Sequence, residues 1–269
     1  MKNSKSLAWQ IRRDAVEMTH LSNGSHLASI LSVADIIAVL YNDILKYDIN
    51  NPSLKDRDRM ILSKGHAGAA IYSALANSGF FPTEELKTHY SNGSRLSGHV
   101  SGDVPGVDLS TGSLGHGLPV ANGMAMAARL DGLDYRVFVV MGDGECDEGS
   151  VWEAALFAAH FKLSNLVVIV DYNKMQSLTY CEETISISPL AEKWRNFGFE
   201  VRDVDGHDTE VLREAMGKPS TDGKPVCVIA NTIKGKGISF MENNILWHYR
   251  PPQGDEYTRA VAELEVSRP

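Results

Sequence analysis

Residues 136–173 read RVFVVMGDGECDEGSVWEAALFAAHFKLSNLVVIVDYN, and the alternation in this stretch decides the fold. Arg136-Val-Phe-Val-Val-Met141 and Leu166-Val-Val-Ile-Val-Asp171 are short apolar runs rich in β-branched residues. Such runs suit strands buried on both faces. Between them, Ser150-Val-Trp-Glu153 has the form of a capping box opening a helix to about Phe161. Strand, helix and strand in that order form a parallel pair. The pattern continues outward in both directions. Val120–Arg129 reads as an Ala/Met-rich helix before the first run. After the second come a helix at about Pro189–Phe197, a strand at Phe199–Val204, a helix at Glu210–Met216 ending at Gly217, and a strand at Val226–Ala230. Near the start, Leu7–Met18 suits a helix, and Ser32 is the expected cap of another that carries Val33, Ile36, Ile37, Leu40 and Ile44. The expected architecture is α/β: one doubly wound, mostly parallel sheet with helices on both faces, in a single domain over residues 1–269. A tail over 249–269, with a helix at Glu256–Val266, closes it. Residues 91–118 differ, being rich in Gly, Ser and Asp with few periodic apolar positions. A loop of that length inside a compact domain is expected to be functional.

The chain has 269 residues, 26 basic and 34 acidic, for a formal charge of −8. That acidic balance argues against nucleic acid or an anionic membrane as a partner. With 43% hydrophobic and 22% charged residues the sequence is that of a globular protein rather than a disordered one. Cys146, Cys181 and Cys227 stand far apart, which suits reduced thiols. The first residues, MKNSKSLAWQIRRD, lack the apolar run of ~7–15 residues found in signal peptides. No run reaches the ~18 consecutive apolar residues of a membrane span. The expectation is a cytoplasmic chain.

In parallel sheets ligands gather beyond the carboxyl ends of the strands. Two strands end in polar clusters, Gly142-Asp143-Gly144 and Asp171-Tyr172-Asn173. The glycines admit a phosphate to the backbone, a helix N-terminus favours its charge, and Asp143 can hold a divalent cation. Asn173, with the 28 residues 145–172 between it and Gly144, adds an amide oxygen from the neighbouring strand end. Together they would form a hard-cation and diphosphate site, the other reading being a turn-capping Asp and a loop Asn that bind nothing. Other polar residues have two readings. His26 lies between two expected helices and equally suits a cap. His66 follows Lys64-Gly65 and precedes an Ala-rich helix, a place for an anion. His99 lies in the long polar loop, where exposed histidines are common. Glu148 suits the first turn of a helix. Lys234-Gly-Lys-Gly237 lacks the spacing of a Walker loop. The histidine spacings are too wide for a zinc site.

A GDG, 28 residues and an Asn form the signature of thiamine-diphosphate enzymes, and the surrounding motifs resemble transketolase. The resemblance runs from about Leu7 to His248. It rests on Asn23-Gly-Ser-His26, Ser63-Lys-Gly-His66, Gly98-His99, Val104-Pro-Gly-Val107, Ser110-Thr-Gly-Ser-Leu-Gly-His-Gly117 and Asp171-Tyr-Asn-Lys-Met175. It implies that Asp143, Asn173 and the main-chain carbonyl of Met175 hold Mg²⁺ (or Ca²⁺) on the cofactor diphosphate. His66, Gly142 and Gly144 would face that diphosphate, and Gly112 and Leu114 would border the aminopyrimidine. His26, His66, His99 and His248 would be the catalytic histidines, and Glu148 would lie at a subunit contact. His20, His89, His160 and His207 receive no role.

The resemblance covers only the diphosphate-binding portion, since a complete transketolase is more than twice as long. It implies the N-terminal-half subunit of a split transketolase, paired, most simply as α₂β₂, with a separate chain. That partner would carry the pyrimidine-binding domain and its activating glutamate. The reaction would transfer a two-carbon ketol unit from a ketose (phosphate) to an aldose (phosphate). Neighbouring readings are a 1-deoxyxylulose-5-phosphate-synthase-like or 2-oxo-acid-dehydrogenase-like subunit, a transketolase for a branched or sulfonated sugar, and a non-catalytic assembly protein. Three departures lie on the substrate side. His116 stands where transketolase usually has Gln, Ser25-His26-Leu27-Ala28 replaces Gly-His-Pro-Gly, and Val-Ser follows His99.

Overall fold

The computed structural model describes residues 3–269. In chain order the elements are α1 (Ser4–Ser22), α2 (Leu27–Val39), β1 (Arg59–Leu62), α3 (Gly68–Asn77), α4 (Gly117–Leu130), β2 (Val137–Gly142), α5 (Gly149–His160), β3 (Leu166–Tyr172), α6 (Cys181–Thr184), α7 (Leu190–Asn196), β4 (Glu200–Asp205), α8 (Thr209–Gly217), β5 (Val226–Asn231) and α9 (Asp255–Val266). The five strands form one parallel sheet in the order β1-β2-β3-β5-β4. Successive side chains of a strand point to opposite faces, and here both faces are buried. Phe138 and Val140 of β2, Val167 and Ile169 of β3, and Val226 and Val228 of β5 enter a core shared with α1, α2, α3, α8 and α9. Val137, Val139 and Met141, Val168 and Val170, and Cys227 and Ile229 enter the other, with α4, α5 and α7. The continuous apolar runs follow from this two-sided burial.

Several local expectations are corrected. Strand β1 is absent from the expected elements, because four residues flanked by Asp58 and Ser63 carry too short a pattern. Ser32 does not cap a helix: α2 begins five residues earlier, and His26 occupies the cap position with φ 72° and no capping bond from its side chain. Ser32 is buried mid-helix, its hydroxyl 2.7 Å from Asp171 Oδ2. The Ser150–Glu153 capping box does not form. Glu148 takes the cap position without a side-chain bond, and the Ser150 hydroxyl donates to the Gly115 carbonyl at 2.9 Å. The stretch Leu27–Ile44 has the length and apolar character of a membrane helix, but 83% of it is buried within this fold, as a core helix is.

The long loop is tied down. Tyr72 on α3 donates its hydroxyl to the His99 carbonyl at 2.8 Å and accepts from Ser101 N at 3.1 Å. Val100 N donates to Gly65 O at 3.0 Å, and Asp108 pairs with Arg57 beside β1. A second loop leaves β5 and returns across the carboxyl edge of the sheet. Gly235, at φ +85°, donates its N–H to Ala28 O at 3.0 Å. A Cβ there would lie 2.3 Å from the Met241 carbonyl oxygen. Gly235→Ala therefore combines a left-handed backbone with a clash against main chain. It is expected to destabilise the fold by roughly 2–4 kcal/mol, read as a lowered urea midpoint; a midpoint equal to that of the unsubstituted chain contradicts this packing.

Candidate active site

Beyond the carboxyl ends of β1, β2, β3 and β5 lies a hollow of about 240 Å³. Its floor is an ion pair. Lys64, two residues past the end of β1, and Asp171, in β3, are 1% and 0% exposed in their side chains and form a salt bridge. Lys64 Nζ also lies 3.3 Å from Ser29 O, and Asp171 accepts from the Ser32 and Thr232 hydroxyls. Burial alone would raise the Asp171 carboxyl, but the Lys64 charge and these donors hold it below the usual carboxylate value. The sequence places Lys64 within a motif but assigns it no role. Its signal, a lysine just beyond a short apolar strand, is visible only once β1 is known.

Above the pair stands the oxygen-rich side. Asp143, 2% exposed just past the end of β2, accepts N–H bonds from Gly144 at 2.8 Å and from Lys174. Burial, then the neighbouring charge of Asp171, raises its carboxyl to about 6. Asn173 Oδ1 accepts from Met175 N at 3.2 Å, and the Met175 carbonyl accepts the Lys234 ammonium at 3.0 Å. A carbonyl retains a second lone pair. One carboxylate, one amide oxygen and one main-chain carbonyl are the donors of a hard cation, and a divalent charge beside Asp143 would offset what burial costs it. The set therefore fits Mg²⁺ or Ca²⁺. Glu145, likewise unassigned by the sequence, is 1% exposed and is raised by burial against the pull of its donors. It accepts from Ser63 Oγ, Gly115 N and Gly142 N, and so fixes the glycine turns around the hollow.

The opposite wall is imidazole. His26 lies with ring centroids 5.2 Å from His66, 5.6 Å from His99 and 5.0 Å from His248. The left-handed His26 backbone donates its N–H to His248 O at 2.6 Å, which joins the start of α2 to the 3-10 turn Ile245–His248. Burial first, then the charges around them, lowers His26 to about 4 and His248 to about 3, and takes His66 well below its ordinary value. These three rings are neutral at pH 7. His248 Nδ1 is buried and has no hydrogen-bond partner among the described residues. His99 is exposed at the mouth, and Gly112 lies so near that a Cβ on it would meet His99 Cδ2 at 3.2 Å.

The same hollow thus gathers His26, His66, His99, Gly112, Leu114, Gly142, Asp143, Gly144, Asn173, Met175 and His248. Lys234, buried and lowered to about 8 by burial and by Lys64, joins them with Tyr249. Glu148 stands outside, exposed at the start of α5. His89, also lowered to about 4 by burial, does not line this hollow but a smaller adjoining recess that shares His26, His66 and His99 with it.

These neutral imidazoles make stability depend on pH. Their unfolded value is near 6.5, so below that pH the unfolded chain takes up protons that the fold refuses. Stability is expected to fall as pH drops from about 6.5 towards 4, by at most about 1.4 kcal/mol per pH unit for each ring. Urea midpoints at pH 7.5, 6 and 5 measure it; equal midpoints at 7.5 and 5 contradict the burial of these rings.

Residues 3–264 match the family described as transketolase, thiamine diphosphate binding domain. The chain is 42% identical over 257 residues to the 6-deoxy-6-sulfo-D-fructose transketolase subunit of Clostridium sp. (strain MSTE9), covering 95% of this chain and 94% of that relative. It is 43% identical to an apulose-4-phosphate transketolase subunit of Actinobacillus succinogenes, covering 95% and 93%. Among solved structures, the transketolase of Campylobacter jejuni superposes with a TM-score of 0.92 at 31% identity, covering 98% of this chain but 43% of that one. The chain therefore spans less than half the length of that enzyme, and nine-tenths or more of the two subunits. The sheet order, the oxygen donors at the ends of β2 and β3 and these likenesses agree: the chain belongs to the transketolase family, as its N-terminal thiamine-diphosphate-binding portion.

Proposed function

We propose that this chain is the diphosphate-binding subunit of a split transketolase, which transfers a two-carbon ketol unit between sugars together with a partner chain that carries the pyrimidine-binding domain. The observation that carries the reading is the two-sided hollow, oxygen donors on one wall and neutral imidazoles on the other. The near-complete match to proteins named as transketolase subunits supports the division between two chains. Asp143, Asn173 and the Met175 carbonyl hold the divalent cation, and Gly142, Gly144 and His66 receive the diphosphate. Gly112 and Leu114 border the ring system. Thiamine diphosphate, when bound, supplies the electron sink that carbon–carbon cleavage requires.

The protein's own groups do the rest. Neutral His26, whose Nδ1 lies 2.7 Å from the Ser25 hydroxyl, and His248 line the hollow towards the hydroxyls of a sugar, and His99 meets it from the mouth. Burial, with the charges of Lys64 and Lys234 added to it, keeps the imidazoles unprotonated, so that they accept protons rather than repel the cation. Exposed apolar side chains on α4 and α5, among them Leu130, Leu156 and Phe157, together with Glu148, form the surface for assembly. An α₂β₂ assembly buries this surface between like subunits and leaves each hollow to be closed by the partner.

The test is a titration with thiamine diphosphate and Mg²⁺, with and without the product of the neighbouring reading frame, followed by assays for ketol transfer. The donors are 6-deoxy-6-sulfofructose, fructose 6-phosphate and xylulose 5-phosphate. Tight binding and transfer are expected only in the mixture. Asp143→Ala is expected to weaken cofactor binding by 100-fold or more while the chain remains folded by circular dichroism. Unchanged binding by that variant, or release of CO₂ from pyruvate without ketol transfer, overturns the reading.

A further inference from the structure

Two tyrosines stand beside the imidazole wall with their rings largely in solvent. Tyr249 lines the hollow, 58% exposed, with its ring 4.7 Å from that of His248 and 5.7 Å from that of His26. Tyr90, also 58% exposed, lines a recess of about 50 Å³ shared with His26 and His99. An exposed tyrosine is ordinary, but the backbone of Tyr90 is not. Its φ is +62°, in the left-handed region that a bulky residue rarely adopts. Strain of this kind is held only where the surroundings impose it, and it gathers at ligand sites. Here Tyr90 N donates to Leu96 O at 2.8 Å, closing the loop. The ring then lies so close over Gly98 that a Cβ on that residue would stand 2.0 Å from Tyr90 Cε2. The residue after Gly98 is His99. The strained turn thus fixes an aromatic ring beside a histidine of the wall, with half its surface left open.

The charged groups nearby are already engaged. Lys64 pairs with Asp171, and Lys234 donates to the Met175 and Gln176 carbonyls. Arg250 pairs with Glu256 at 2.5 Å and lies over the Trp247 ring. What this part of the mouth offers a ligand is therefore imidazole nitrogen, phenol hydroxyl and aromatic face. Such a surface suits the C–H face and hydroxyls of a polyol chain, not an anionic end group.

We infer that Tyr90 and Tyr249 form the surface on which the distal carbons of the sugar lie, and that they set which chain length and branching the site accepts. This rests on the ketol-transfer reading above. An anionic group at the end of the sugar then falls to the partner chain.

The experiment uses the reconstituted two-chain complex and two donors that deliver the same two-carbon unit. Xylulose 5-phosphate has distal carbons, and 3-hydroxypyruvate has none. The quantity read is the ratio of their kcat/KM values. Tyr90→Ala and Tyr249→Ala are each expected to lower the ratio of long to short donor at least 10-fold, chiefly through the KM of the long donor. Tyr90→Phe and Tyr249→Phe, which keep the rings and the fold, are expected to retain at least a third of it. A ratio within twofold of the unsubstituted complex in both Ala variants overturns the inference, as does a loss in the Phe variants equal to that in the Ala variants. An unsubstituted complex that transfers from neither of these donors, nor from 6-deoxy-6-sulfofructose or fructose 6-phosphate, overturns the ketol-transfer reading itself.

Discussion

The Lys64–Asp171 pair is the point on which the site depends. Lys64 follows β1 and Asp171 belongs to β3, while Ser29 and Ser32 reach down from α2 and Thr232 arrives from the end of β5. One buried pair therefore joins three strand ends and a helix. Two charges removed from water cost several kcal/mol each, and only close geometry with further donors offsets that. Asp171 has those donors. As plain stabilisation the pair adds little, since apolar residues of like volume would fill the same space without the desolvation cost. Its consequence is positional. It holds the β1 and β3 ends in register across the intervening β2 end, from which Asp143 rises.

The same pair sets the electrical character of the hollow. Burial first, and then the positive charge of Lys64 and Lys234, keeps His26, His66 and His248 neutral. Asp171 has the reverse effect on Asp143, pushing its carboxyl up beside burial. The two walls thus differ in what they call for. Asp143 calls for a cation, and His248 Nδ1 for a hydrogen-bond partner. A metal-bound diphosphate would satisfy the first.

The sheet is legible in the sequence because its strands are buried on both sides: the runs at 136–141, 166–171, 199–204 and 226–230 stand out without any alternation to decode. Strand β1 is not legible, since four residues beside Asp58 carry no period, and the role of Lys64 is hidden with it. The capping expectations fail for a related reason. Ser32 and Ser150 have the residue type of a cap, but their hydroxyls are drawn to Asp171 and to the Gly115 carbonyl, partners distant in sequence. The histidines, Asp143 and Asn173 emerge through motif resemblance, and their convergence follows from parallel strands ending at one edge. Nothing local in the sequence announces that Tyr90 is turned to positive φ, because Gly98 and the Leu96 carbonyl impose it.

Burial across the hollow is uneven, and the unevenness has a direction. Asp143, Glu145, Asn173 and His248 are buried by this chain alone, whereas His99, Gly112, Tyr90 and Tyr249 are exposed. Exposed dipoles and rings at a mouth are screened by water, and electrostatic groups act strongly only where water is excluded. A chain that completed the reaction unaided would need to cover its imidazole wall, and this one leaves His99 in solvent while the charges beneath are fully enclosed. The enclosed half suits a cation and a diphosphate that remain in place through every turnover. The open half suits sugars that enter and leave.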